Sequence, residues 1–148
     1  MTANEDDSWP GQLIHQAAIY NNVELLQCLL QGEEKSNINA QDVCGRTAVY
    51  TAVSNGSLQC LDLLLDHGAD TNIPAGSRCH NMTPLHEAIL DSKLEALAIL
   101  LARGADLTVT DVSGKTPLAL AKYMKNREAV DLIEREKGDN FLPVHEAN

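Results

Sequence analysis

The sequence predicts an all-α solenoid of stacked helix-turn-helix units with projecting finger loops, and three observations predict it. The first is self-similarity. The stretch NMTPLHEAIL at 81–90 returns as DVSGKTPLALAKYM from Asp111, as DVCGRTAVYTAVSNG from Asp42 and as GQLIHQAAIYNN from Gly11. His15, Tyr50, His86 and Ala119 share one equivalent position, at steps of 35, 36 and 33 residues. The second is that each copy precedes another apolar-periodic run: VELLQCLLQG, LQCLDLLLDHGAD, LEALAILLARGAD and REAVDLIEREKG. Units of this size bury their apolar faces only against one another, which makes an array. The third is composition. Aromatic residues make up 3% of the chain, so the core must come from Leu, Ile, Val and Ala, which suits short, closely stacked helices.

The units follow in order. Repeat 1, residues 9–41, has Gln12 and Leu13 where the other copies open with Thr and a following residue, so its first helix lacks a start signal. Trp9, just upstream, is placed to cover that end. Repeat 2, residues 42–74, opens with the full-length helix TAVYTAVSN. Cys28 in repeat 1 and Cys60 in repeat 2 are expected on the buried stripe of second helices, as small hydrophobes. Repeat 3, residues 75–110, is the most explicit. Thr83 caps its first helix, and Pro84 takes the first position, where no N–H is needed. Leu85, Ala88 and Ile89 face the core, and Ala88 lets the paired helices approach. After a turn at Ser92, a second helix from about Lys93 is expected to bury Leu94, Leu97, Ile99, Leu100 and Leu101 before Gly104 ends it. Asp111 and Gly114 build the turn of the next finger. Repeat 4, residues 111–137, turns Ala129, Val130, Leu132 and Ile133 inward and its charges outward, and Gly138 is expected to stop it. Repeats 1 and 4 act as caps.

Flanking the array are an acidic tail, residues 1–8, disordered by composition, and a C-terminal tail, residues 138–148. The latter carries Phe141, Leu142 and Val144, which suit either folding back on the last repeat or acting as a docking peptide. No run approaches the length of a membrane span, and the acidic N-terminus is unlike a signal peptide. The expected location is cytoplasmic, nuclear or both. A net charge of −10 argues against nucleic acid as a direct ligand. That charge is uneven: residues 1–34 hold no Lys or Arg, whereas Lys115, Lys122, Lys125 and Arg127 lie in a stretch without an acid.

Cys44, Cys79 and His80 fall on neighbouring loops, which raises zinc as a candidate. Their spacing matches no regular zinc module and no fourth ligand is evident, so loop cysteines are the preferred reading and no cofactor is assigned. There is no phosphate-binding glycine loop or nucleophile motif either, and the chain is read as a non-enzyme.

Thr83-Pro84-Leu85-His86, Gly104-Ala105-Asp106 and Asp111-Val112-Ser113-Gly114 recur at consistent offsets, and in this the chain resembles the ankyrin-repeat family over about residues 9–137. The resemblance implies that His86, otherwise a candidate base or metal ligand, is a structural residue at a helix start. It also implies a cupped molecule that binds another protein or peptide through its fingers and the residues near the end of each first helix. Carried over by position, the helix residues are Ile19 and Tyr20, Ser54 and Asn55, Leu90 and Asp91, and Tyr123 and Met124. Those of the fingers are Val43 and Arg46, then Arg78, His80 and Met82, then Val112 and Lys115. The loops before Thr47 and Thr83 are longer than the repeat needs, and in the latter the extra length suits contact. LLLDHGADTN resembles the site preferred by the asparagine hydroxylase that acts on ankyrin domains, with Asn72 as acceptor; the alternative is an Asn that bonds its own turn. The resulting function is a monomeric adaptor or interaction module. An inhibitor is the alternative, after the four-repeat ankyrin inhibitors of cyclin-dependent kinases, although the full-length first helix of repeat 2 departs from them.

Overall fold

The computed structural model describes residues 9–141. Its helices are α1 (Gln12–Tyr20), α2 (Val23–Gln31), α3 (Ala48–Asn55), α4 (Leu58–Asp66), α5 (Pro84–Leu90), α6 (Leu94–Ala102), α7 (Pro117–Tyr123) and α8 (Arg127–Phe141), with short 3₁₀ turns at Glu33–Asn37 and Ser77–Cys79. There is no strand among the described residues. Odd-numbered helices stack on one another as an inner row, and the sequence α2, α4, α6, α8 forms an outer row. One apolar core runs through all four pairs, from Ile14 to Ile133.

The periodic alanine explains the close stacking. Ala17, Ala52, Ala88 and Ala121 are equivalent positions on the inner helices, and none is more than 1% exposed. A larger side chain there would push the rows apart. Helix starts obey the local chemistry. The hydroxyls of Thr47 and Thr116 accept the N–H of Tyr50 (3.2 Å) and Ala119 (3.1 Å), and Asn22 accepts that of Leu25 (3.1 Å). The start of α1 has no side-chain cap, as its sequence implied. Instead the Gln12 N–H donates to the Trp9 carbonyl (3.0 Å), and the Trp9 ring packs edge-on against His15, centroids 4.6 Å apart.

The two helices of each pair are joined through a residue in the left-handed region: Asn21 (φ 53°), Gly56 (71°), Ser92 (55°) and Lys125 (59°). Fingers 1 and 3 share a second device. Asp42 accepts the N–H groups of Cys44 and Arg46 (2.9 Å each), and Asp111 those of Ser113 and Lys115 (2.9 Å each). In both, burial works against ionisation, but these N–H groups outweigh it and hold the carboxyl below the usual carboxylate range. Finger 2 has Arg78 at that position and folds through its 3₁₀ turn instead, closed by the Ala75 N–H to the Met82 carbonyl (2.8 Å).

Four expectations are corrected. Cys28 is exposed, because it lies two residues, roughly 200° of helix, from the buried Leu26. Cys60 is buried as expected. Leu94 and Ile99 on α6, like Val130 and Leu132 on α8, are only half-buried, packed against the edge of the core. Gly138 does not stop the last helix, which continues to Phe141; within a helix a glycine costs about 1 kcal/mol relative to Ala but ends it only when it turns left-handed. Met82 is buried rather than part of the finger surface, packed with Tyr50 and Ala75 under finger 2. The expectations for residues 1–8 and for Leu142 and Val144 lie outside the described residues.

Candidate protein-binding surface

The inner helices end in large side chains that no core requires. Ile19 and Tyr20 at the end of α1, Leu90 at the end of α5, and Tyr123 and Met124 at the end of α7 are all exposed, Tyr20 by 78%. Asn55 and Asp91 are exposed beside them, and Ser54 is half-buried. On the fingers Val43, Arg78, His80 and Val112 are exposed, Val43 by 89%. Two of the three finger cations are held in place. Arg46 pairs with Asp42 of its own turn (2.9 Å), and Lys115 Nζ sits 4.6 Å over the Tyr123 ring, joining finger 3 to α7.

The first two repeats enclose a cleft of about 360 Å³ on this side. Trp9, Gln12, Gln16 and Ile19 line one wall, with Arg46 and Asn55 opposite. Ile19, Arg46 and Asn55 were expected at the surface; Trp9, Gln12 and Gln16 were not. The signal was the helix phase of α1, which puts Gln12, Gln16 and Ile19 on one side of the helix.

The longer finger 2 is bonded to both of its neighbours. Its Gly76 N–H donates to the Cys44 carbonyl of finger 1 (2.9 Å), and its His80 carbonyl accepts the Val112 N–H of finger 3 (3.0 Å). A second ladder joins the bases of the repeats: Asn39 Oδ1 accepts the Asp70 N–H, and Asn72 Oδ1 the Asp106 N–H, both at 2.8 Å. Asn72 thus bonds the next repeat as well as its own turn.

His86 is bonded at both ring nitrogens. Its Nδ1 accepts the Thr83 backbone N–H (3.2 Å) and hydroxyl (2.9 Å), so Nε2 carries the hydrogen and donates it to the Lys115 carbonyl (2.9 Å). Burial pushes its pKa down, against the raising effect of the Lys115 carbonyl and of Asp111, which keeps the ring neutral. His15 repeats the pattern, with Nε2 donating to the Ala40 carbonyl (3.0 Å). Tyr50 differs: its hydroxyl donates to the carboxyl of Glu87 (2.9 Å), a buried acid on α5 that sequence reasoning did not single out. Burial first, and then the neighbouring Asp91, push the Glu87 pKa up; Tyr50 and Ser54 oppose them.

No three His, Cys, Asp or Glu side chains converge as a metal site among the described residues, so Cys44, Cys79 and His80 do not form one together. None of the described helices is long and apolar enough to cross a membrane.

The family model described as ankyrin repeats in three copies matches residues 14–111. The chain belongs to the ankyrin-repeat family. The fourth helix pair, α7 and α8, lies wholly beyond the matched span. Among curated proteins, the chain is 32% identical to Rabankyrin-5 of Mus musculus over 151 residues, covering 95% of this chain and 10% of the relative. It is 33% identical over 123 residues to ankyrin repeat protein FPV031 of fowlpox virus, covering 79% and 35%. With BCL-6 corepressor-like protein 1 of Homo sapiens it shares 36% over 122 residues, covering 78% and 6%. The chain therefore spans about a third or less of the relatives it matches. Ankyrin repeats as a class mediate protein–protein interaction, and this ankyrin-repeat array carries the stacked helices and fingers of that class.

Proposed function

We propose that the chain is a non-enzymatic, monomeric interaction module that holds a partner protein or peptide, and not nucleic acid or membrane, against its concave face, in the cytoplasm, the nucleus or both. The observation that carries this reading is the row of exposed apolar side chains on the inner helices, Ile19, Tyr20, Leu90, Tyr123 and Met124, in a fold whose scaffold does not need them. Large groups on one face supply anchors at interfaces, where a few residues dominate affinity. The cleft beside Trp9 and Ile19 extends the same face toward repeat 1. An adaptor is preferred to a kinase inhibitor because α3 has its full length, Ala48–Asn55.

The test is capture of a partner from cell extract, followed by measured affinities for variants. Leu90→Ala and Tyr123→Ala should each weaken binding by about 2 kcal/mol if they are anchors. Glu95 and Asp131, on the outer row, should be neutral when replaced. Loss of binding in Glu95→Arg with Leu90→Ala unaffected would move the site to the convex back. Inhibition is separated from adaptor function by whether the purified chain blocks its partner's activity.

Asn72 hydroxylation belongs to the same proposal. Leu64 stands eight residues before Asn72, with Asp70 and Thr71 between. Because the Asn72 side chain holds the Asp106 N–H, the acceptor must leave that bond to enter an enzyme. Mass spectrometry of protein treated with the hydroxylase should find one added oxygen on Asn72; its absence leaves Asn72 with its structural role alone.

A further inference from the structure

The fingers bring two of the four thiols together. Fingers 1 and 2 meet along Gly45 and Gly76, so closely that a Cβ on either glycine would collide with the other finger's backbone. Gly76 is bracketed by two cysteines. Its N–H donates to the Cys44 carbonyl (2.9 Å), and its carbonyl accepts the Cys79 N–H (2.8 Å). Cys44 and Cys79 are 35 residues apart in the chain and one glycine apart in space. Both are free and half-buried, and the Arg46 guanidinium lies within electrostatic reach of both sulfurs. The other two thiols are elsewhere: Cys28 is exposed on α2, and Cys60 is buried on α4 with its Sγ toward the Ala17 carbonyl (3.5 Å).

We propose that Cys44 and Cys79 form an oxidant-responsive dithiol, converted by a hydroperoxide into a disulfide that clamps the first two fingers together. A disulfide asks for Cα atoms about 4.4–6.8 Å apart. Cys44 and Cys79 are both bonded to Gly76, so a movement of finger 1 against finger 2 would be what brings them into that range.

The chemistry needs two steps. The Cys44 thiolate attacks one peroxide oxygen, the O–O bond breaks, and the departing hydroxide takes up the thiol proton as water, leaving a sulfenic acid on Cys44. The Cys79 sulfur then attacks the Cys44 sulfur, the S–O bond breaks, and hydroxide leaves with the Cys79 proton as a second water. The two thiols lose two electrons and two protons, and hydrogen peroxide becomes two waters. Cys79 is taken as the second partner because it packs against Tyr50, Ala75 and Met82, and burial pushes its thiol up. Val43 and Arg78 each adjoin one of these thiols in the chain, so the clamp fixes the spacing of two exposed finger residues.

The test uses the whole chain with Cys28→Ser, which removes the exposed thiol able to link separate molecules. After hydrogen peroxide treatment, mass spectrometry without reduction should find one peptide pair joining Cys44 to Cys79, two hydrogens lighter, and reversed by dithiothreitol. The melting temperature should rise by several degrees on oxidation, as closing a long loop constrains the unfolded chain. Adding Cys44→Ser or Cys79→Ser should abolish both the link and the rise. Over-oxidation of Cys44 to its sulfinic acid with no link overturns the proposal. So does a Cys44–Cys60 link in its place, or a rise in melting temperature that survives in the Cys44→Ser variant.

Discussion

Repeat 3 places His86 at the third residue of its inner helix, and repeat 2 places Tyr50 at the same point. His86 is closed within the backbone: it accepts from Thr83 and donates to the finger carbonyl of Lys115. An imidazole can do both while neutral. Tyr50 has one donor at the far end of a longer ring, which reaches beyond the finger to the Glu87 carboxyl on α5. The second solution brings an ionisable acid into the interior and the first does not. The same slot thus joins repeats through neutral partners in one case and through an acid in the other, and this should give the two rungs opposite responses to pH.

The comparison breaks most severely at His86. His86→Ala removes a fully buried ring and leaves the Thr83 N–H and the Lys115 carbonyl without partners, which should cost about 3 kcal/mol in urea unfolding. A smaller loss, about 1–2 kcal/mol, is expected for Tyr50→Phe, which keeps the ring and removes only the hydroxyl bond to Glu87.

Protonation sharpens the contrast. The His86 pKa is lowered in the folded state, so the unfolded chain binds its proton first. Its contribution is present above the ordinary value of 6.5 and is lost as pH falls below it. The Glu87 pKa is raised, so the folded chain holds its proton longer. Its contribution is present below the ordinary value of 4.5 and is lost as pH rises through the higher folded value. Glu87→Gln should therefore be more stable than the parent at pH 8, with the difference closing toward pH 4.5, as read from melting curves across that range. The smallest effect is expected for Ala119→His, which restores histidine to repeat 4. Ala119 is exposed, so stability should change by less than about 0.5 kcal/mol.

Most of the fold was legible because its units repeat. Thr83 and Pro84, the alanine two residues after each His86-like position, and the leucines of the second helices are local signals that four copies reinforce. Burial that depends on what a residue meets was less legible. Met82 sits where fingers 1 and 3 have cations, Arg46 and Lys115, and only the folded loop takes it under Tyr50. Cys28 was misplaced by helix phase. Glu87 was invisible because its partner is 37 residues away, although a tyrosine in a histidine slot needs an acceptor, which is a clue in itself. At the binding face, the side chains at the ends of the inner helices could be named from position, but the cleft beside Trp9 needed the approach of two repeats.

The left-handed turns between paired helices bear on how much sequence change the array can absorb. Repeat 2 meets this backbone with Gly56, whereas repeats 3 and 4 use Ser92 and Lys125, whose side chains make that conformation cost about 1 kcal/mol each. Stability in a solenoid is nearly a sum over neighbouring units. A glycine at 92 or 125 would thus release a reserve chiefly to its own repeat and those it touches. Mutational robustness in such a protein is tunable unit by unit, and the C-terminal pair, with Lys125 at its turn, holds an unspent share of it.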